Sequence, residues 1–184
     1  MKTVQRNEIV DYQTYNENRE EIRRQAMELK EARRVHLGKY LTFLFENHDT
    51  VRYQIQEMIR AEQIVKEADI QHEIETYNEL LGDKGELGCT LLIEIDDVAQ
   101  RQALLREWLE LPQHLYVKTE SGKKVHPRFD PRQVGENRLS SVQYLKFDTG
   151  GEVPVAVGCD FPRLSGETSL DEAQRQALAQ DLAG

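Results

Sequence analysis

Leu87-Gly88-Cys89-Thr90-Leu91-Leu92-Ile93-Glu94-Ile95 is the stretch on which the fold turns. Its near-continuous apolar run is too short for a long helix, and the turn signal Gly82-Asp83-Lys84-Gly85 precedes it. Such a run predicts a central strand covered on both faces. A covered strand needs neighbouring strands and packed helices, and the flanking sequence supplies candidates for both. Upstream, Val35 to Phe45 is β-branched and aromatic, with Gly38 as punctuation, and reads as extended chain ending in Glu46-Asn47. Downstream, Leu115-Tyr116-Val117 and Val125 flank a Ser121-Gly122 turn, and Leu139–Phe147 and Val153–Val157 add two further strands.

The helical signals lie mainly before the central run. From about Tyr15 to Arg34, Ile22, Ala26 and Leu29 share one stripe, with Glu20 and Arg24 at i, i+4 spacing opposite. A helix capped by Asp49 or Thr50 carries Val51, Ile55, Met58 and Ile59. Another starting at Asp69 carries Ile70, Ile74, Tyr77 and Leu81. Asp96 or Asp97 caps a fourth with Leu104, Leu105, Trp108 and Leu109, and Ser169 with Glu172 reads as the capping box of a closing helix. These elements predict a single α+β domain over residues 1–184, with a mixed or largely antiparallel sheet of about five or six strands and helices packed on it.

The composition narrows the partners. The chain has 184 residues, 33 acidic and 24 basic, for a net charge of -9. Mean hydropathy is -0.68. A net negative molecule repels polyanions and anionic lipid, so neither nucleic acid nor membrane is an expected partner. No signal-like or membrane-spanning apolar run is present, and cytoplasm is the expected setting. Cys89 and Cys159 have no metal-ligand spacing and read as buried free thiols. Residues 46–86 carry eleven acidic and four basic side chains, a negative surface. Residues 114–147 are the only distinctly basic stretch: Lys118, Lys123, Lys124, Arg128, Arg132, Arg138 and Lys146 alternate with Tyr116, Phe129 and Tyr144. That stretch resembles a nucleic-acid surface in composition, but it is short and surrounded by acid, and it is expected to solvate a hairpin or to face the acidic stretch, within the molecule or across a homodimer.

No Gly-rich phosphate loop, Gly-x-Ser-x-Gly, His-Glu-x-x-His or EF-hand loop is present. The local conflict is Glu62, four residues beyond Met58 and seven beyond Ile55, where helical periodicity asks for an apolar residue. A carboxylate there must be paired or protonated if buried. With Glu46 and Asn47 at the strand end, and Gln54, Glu57 and Arg60 beside the stripe, Glu62 would complete a polar ligand pocket between sheet and helix. The alternative is that Glu62 passes the helix end into solvent, Arg60 pairs with Glu57, and Glu46-Asn47 caps a turn. The pocket reading predicts that Glu62→Leu keeps stability while binding is lost. His48 is the one histidine placed to act as a metal ligand. Asp69-x-x-His72 has a di-iron spacing but occurs once, and reads as a helix cap beside an exposed imidazole.

Phe45-Glu46-Asn47-His48-Asp49-Thr50 followed by Gln54-Ile55-Gln56-Glu57-Met58-Ile59-Arg60-Ala61-Glu62 resembles the bacterial family known as domain of unknown function 3501. The resemblance extends to Arg33-Arg34, Gly38, Tyr77-Asn78, Leu80, Glu94-Ile95 and Asp181-Leu182. It carries no established activity. It implies a redox or metal-related setting, with a rubrerythrin-like or iron–sulfur oxidoreductase protein as partner. The family pattern has His before Pro162, where this chain has Phe161. Two functions follow as expectations. One is a ligand-binding or accessory protein built on Glu46, Asn47, Gln54, Glu57, Arg60 and Glu62. The other is a metal-dependent enzyme using Glu46, Glu57, Glu62 and His48. The sequence assigns no cofactor.

Overall fold

The computed structural model describes residues 1–184. The central run is strand β3 (Glu86–Ile93), antiparallel to β2 (Leu41–Glu46) on one side and β6 (Val142–Asp148) on the other. With β1 (Arg34–Leu37) these form a four-stranded sheet of order β1-β2-β3-β6. A second antiparallel sheet has order β5-β4-β7-β8, from β4 (Leu115–Thr119), β5 (Lys124–Val125), β7 (Pro154–Cys159) and β8 (Gly166–Ser169). The α+β antiparallel reading therefore holds, with eight strands in two sheets instead of one sheet of five or six. The chain beyond β5 bridges to β6 at Arg128↔Lys146, and β1 lies against β8, so the sheets curl around one core.

Alternation explains that core. Phe43, Phe45, Leu87, Leu91, Leu145 and Phe147 project from the first sheet toward Leu115, Val117, Val157 and Cys159 of the second. Trp108, the residue that caps the end of α4 (Val98–Glu107), and Leu178 of α5 (Glu172–Ala183) join the same cluster. Residues at the intervening positions of β2 and β3 face α1 (Tyr12–Glu31), α2 (His48–Ala61) and α3 (Glu67–Asn78), which enclose a second cluster of Val4, Ile9, Val51, Ile55, Ile59, Ile70, Ile74 and Leu81. Gly88 sits on this face with the backbone of Leu80 directly over it. No helix is long and apolar enough to cross a membrane.

Several local expectations shift. Asn47 caps α2, exchanging hydrogen bonds with Thr50, because its amide can accept from the Thr50 N–H while the Thr50 hydroxyl accepts from its own. Asp69 lies in the first turn of α3, which starts at Glu67, and His72 is exposed as expected. Arg24 pairs with Glu21 and Glu28 instead of Glu20. Asp171 with Gln174 caps α5, leaving Ser169 in β8. Cys89 and Cys159 are buried free thiols, and burial pushes both thiols up in pKa. The basic stretch meets the acidic one within the chain, where Arg128 binds Glu86 at 2.7 Å.

Candidate functional site

Glu46 and Asn47 mark the end of β2, where the chain must turn from sheet into α2. Glu46 is buried and accepts hydrogen bonds from Thr50 Oγ1 at 2.5 Å and Thr90 Oγ1 at 2.7 Å. Lys30 of α1, also buried and stacked over Tyr53, has its ammonium pKa lowered by desolvation, while the Glu46 charge opposes that shift. Asn47 Nδ2 donates to Asp181 Oδ1 at 3.2 Å. Asp181, near the end of α5, receives a two-pronged ion pair from Arg33, Nε to Oδ2 at 2.7 Å and Nη2 to Oδ1 at 2.8 Å, with both side chains only 6% exposed. Arg33 Nη1 is spent on the Leu29 carbonyl at 2.9 Å. This is a satisfied polar core that fastens three helices to the sheet. None of the four principal hollows is lined by Arg33, Glu46, Asn47 or Asp181.

The remaining residues of the expected pocket do not join it. Asn47 and Glu57 stand ten positions apart along one helix, a rise of about 15 Å. Glu57 turns to α1, where Arg19 donates Nε at 2.8 Å and Nη2 at 2.9 Å and Tyr15 Oη at 2.7 Å. The Arg19 guanidinium holds the Glu57 carboxyl below its ordinary pKa, and burial with the Glu57 charge pushes the Tyr15 phenol up. Arg60 does not pair with Glu57; its Nε donates to Asn16 Oδ1 at 3.0 Å beside a wide, open hollow. Gln54 is half-buried and lies beside the Tyr77 phenol.

Glu62 is exposed, which corrects the reading that placed it on the buried stripe. The helix ends one residue earlier, Gln63 adopts φ +52°, and the Ile64 N–H bonds to the Ile59 carbonyl at 3.0 Å. This closing turn folds Ile64 onto the apolar cluster, in the place that periodicity assigns to Glu62. Both Glu62→Gln and Glu62→Leu should therefore change stability by no more than about 0.5 kcal/mol, as exposed substitutions usually do. Urea melts of the two variants check this, and a loss above about 1 kcal/mol in either would restore a structural role.

His48 also stands apart from Glu46. Its Nε2 lies 3.0 Å from Glu8 Oε1, in a close but poorly aligned contact, and its Nδ1 lies 3.2 Å from Asp49 Oδ1. The Glu8 carboxyl is lowered to about 2, first by the Gln5 backbone N–H and then by His48 and Lys2. Glu46, Glu57, Glu62 and His48 thus serve four different neighbourhoods, and no group of three His, Cys, Asp or Glu side chains converges as a metal site would require.

The best-formed hollow lies elsewhere, between the end of α3, the outward face of β6 and residues 128–133. It measures about 550 Å³. Tyr77, Phe129 and Tyr144 supply aromatic walls, Leu80 an apolar one, and Lys146 and Glu79 opposite charges. Tyr144 is 43% exposed although it sits on a strand. Arg128 is held by Glu86, and Arg132 holds Asp130, so Lys146 and Glu79 are the charges without an ion-pair partner. Burial pushes the Tyr77 phenol up, keeping it a hydrogen-bond donor. The groove was foreshadowed only by Phe129 and Tyr144 lying among the basic residues; Tyr77 comes from a helix 52 positions upstream of Phe129.

Comparison with protein-family models matches residues 3–182 to the family described as "Protein of unknown function (DUF3501)". Among solved structures, the chain is similar to a novel protein of unknown function from Burkholderia pseudomallei K96243. The two are 27% identical with a TM-score of 0.89, over 98% of this chain and 100% of that one. Comparison with curated proteins finds no match.

Proposed function

The chain belongs to the DUF3501 family, whose function is unknown, and on that premise we propose that it is a cytoplasmic binding protein for a small planar heteroaromatic anion. The supporting observation is the groove of about 550 Å³ in which three aromatic side chains flank one unpaired ammonium, Lys146. Its volume falls among ordinary small-molecule sites, which run roughly 300–1,000 Å³. Aromatic faces accept a planar ring by stacking, Lys146 complements a carboxylate or phosphate, and Glu79 complements an N–H donor on the ring. Of the residues singled out in the sequence, only Gln54 comes near the groove, beside the Tyr77 phenol.

Isothermal titration with nucleoside monophosphates, flavin mononucleotide and pterin carboxylates tests this reading. At least one should bind in the micromolar range, and Tyr144→Ala should weaken it at least tenfold, since one stacked ring contributes ~1–3 kcal/mol. Absence of heat with every compound at about millimolar concentration would remove the reading, as would unchanged affinity in the Tyr144 variant.

An accessory role beside a rubrerythrin-like or iron–sulfur protein is the second reading. It draws support from the exposed Glu62, Asp69, Glu75 and Glu79, none in an ion pair, in the same stretch as Val65, which is 71% exposed. Charge reversal at Asp69 and Glu75 should abolish co-purification with such a partner if that reading is right.

A further inference from the structure

A second hollow, of about 440 Å³, opens where α4 meets the turn before β6. Its lining is polar: Arg101 and Gln102 from α4, Arg138 from the turn, and Ser140 and Ser141 leading into β6. In a chain of net charge -9, two guanidiniums without a carboxylate partner share this concavity. Arg101 spends only Nη1, on the Ile95 carbonyl at 2.9 Å, and Arg138 forms no side-chain hydrogen bond. Arg132, at the rim, differs because Asp130 neutralises it.

Three further lining side chains are donors without a protein acceptor. Ser140 Oγ accepts from the Val142 N–H at 3.2 Å, which leaves its O–H free, and neither the Gln102 amide nor the Ser141 hydroxyl is engaged. The turn carrying Arg138 is tight: a Cβ at Gly135 would lie 2.7 Å from the Arg138 carbonyl oxygen. Like charges gathered in one concavity repel unless an anion joins them, and guanidinium forks match the oxygen spacing of a tetrahedral oxyanion. We infer that this hollow is a binding site for a phosphate or sulfate group, held by Arg101 and Arg138 with hydroxyl and amide donors from Ser140, Ser141 and Gln102. Only Gln133 lines both this hollow and the aromatic groove, and its side chain is committed to the Tyr144 backbone. The oxyanion site stands whether or not the groove takes a planar ligand.

Titration of inorganic phosphate, sulfate and glycerol phosphate into the full chain at constant ionic strength tests the inference, read by NMR at the arginine Nε–H and Gln102 amide signals. The free ions and the ester separate a free from an esterified oxyanion, and saturable binding of any one supports the site. Arg101, Arg138 and Gln102 signals should saturate together at millimolar concentration or below. Arg138→Gln, an exposed side chain that makes no hydrogen bond within the protein, should weaken binding at least tenfold, and Lys146→Met should leave it unchanged. Shifts no larger than those from chloride overturn the site. So does an Arg138→Gln variant that titrates like the parent, or loss of phosphate binding in Lys146→Met, which would move the anion to the groove.

Discussion

Asp181→Ala should cost ~3–5 kcal/mol of stability, the range for removing one partner of a buried ion pair. Three effects combine at this carboxylate. It lies in the last turn of α5, where the helix dipole disfavours negative charge, so the folded state tolerates it only because Arg33 meets it with two hydrogen bonds. Its removal leaves a guanidinium 6% exposed with a single remaining bond, to the Leu29 carbonyl. It also strips Asn47 Nδ2 of its acceptor at the start of α2. For a chain of this length about 2–4 °C of melting temperature accompanies each kcal/mol, so the midpoint should fall by roughly 10 °C. The double variant Arg33→Met with Asp181→Leu should recover most of the loss, because a buried pair replaced by apolar groups of similar volume is often neutral. Urea melts of the single and double variants decide the matter. A single variant within about 1 kcal/mol of the parent would mean that water reaches Arg33 and the pair holds nothing.

This network also shows how far the sequence could be read. The strand end Glu46-Asn47 stands out as polarity where the chain enters a core, and periodicity places it at a sheet–helix junction. The buried pair that completes it, Arg33 and Asp181, lies 148 positions apart, and although both residues fall within the family resemblance, no spacing of that size marks them as partners or separates them from the chain's many exposed charges. Glu62 fails for a different reason. Helical phase is right through Ile59, but the helix stops in a left-handed turn at Gln63, with no glycine there to announce it. Strand β8 is illegible on physical grounds of its own, since Gly166-Glu167-Thr168-Ser169 is polar throughout and shows no alternation, whereas the two-residue β5 is legible through Val125 across the Ser121-Gly122 turn, where it pairs with Val117. What reads well is what buries much surface per residue, such as the largely apolar β3, and what carries its own local chemistry, such as the Asp97 cap of α4.

Gly88→Ala should be the most damaging single methyl in the chain, destabilising at or above the upper end of the ~1–3 kcal/mol usual for overpacking. Gly88 pairs with Glu46 on one side and Lys146 on the other, in the middle of the first sheet. Residues 80–82 cross its outward face so closely that an added Cβ would stand 1.8 Å from the Leu80 carbonyl oxygen and 3.3 Å from the Gly82 nitrogen. Both are backbone atoms, so no side-chain rotation can clear the space. Either β3 leaves its register with β2 and β6 or the end of α3 lifts from the sheet, and Leu80 is also a wall of the aromatic groove. The variant should therefore lose groove binding before it unfolds. Gly38→Ala is the matched control, since its φ of +60° carries backbone strain but nothing lies within 4 Å of its Cβ. That change should cost only about 1–2 kcal/mol, from the left-handed conformation alone. Thermal melts of the two variants side by side separate steric crowding from backbone strain. Equal losses would show that the Leu80 crossing yields easily, and that the closeness of α3 to β3 is not what shapes the groove.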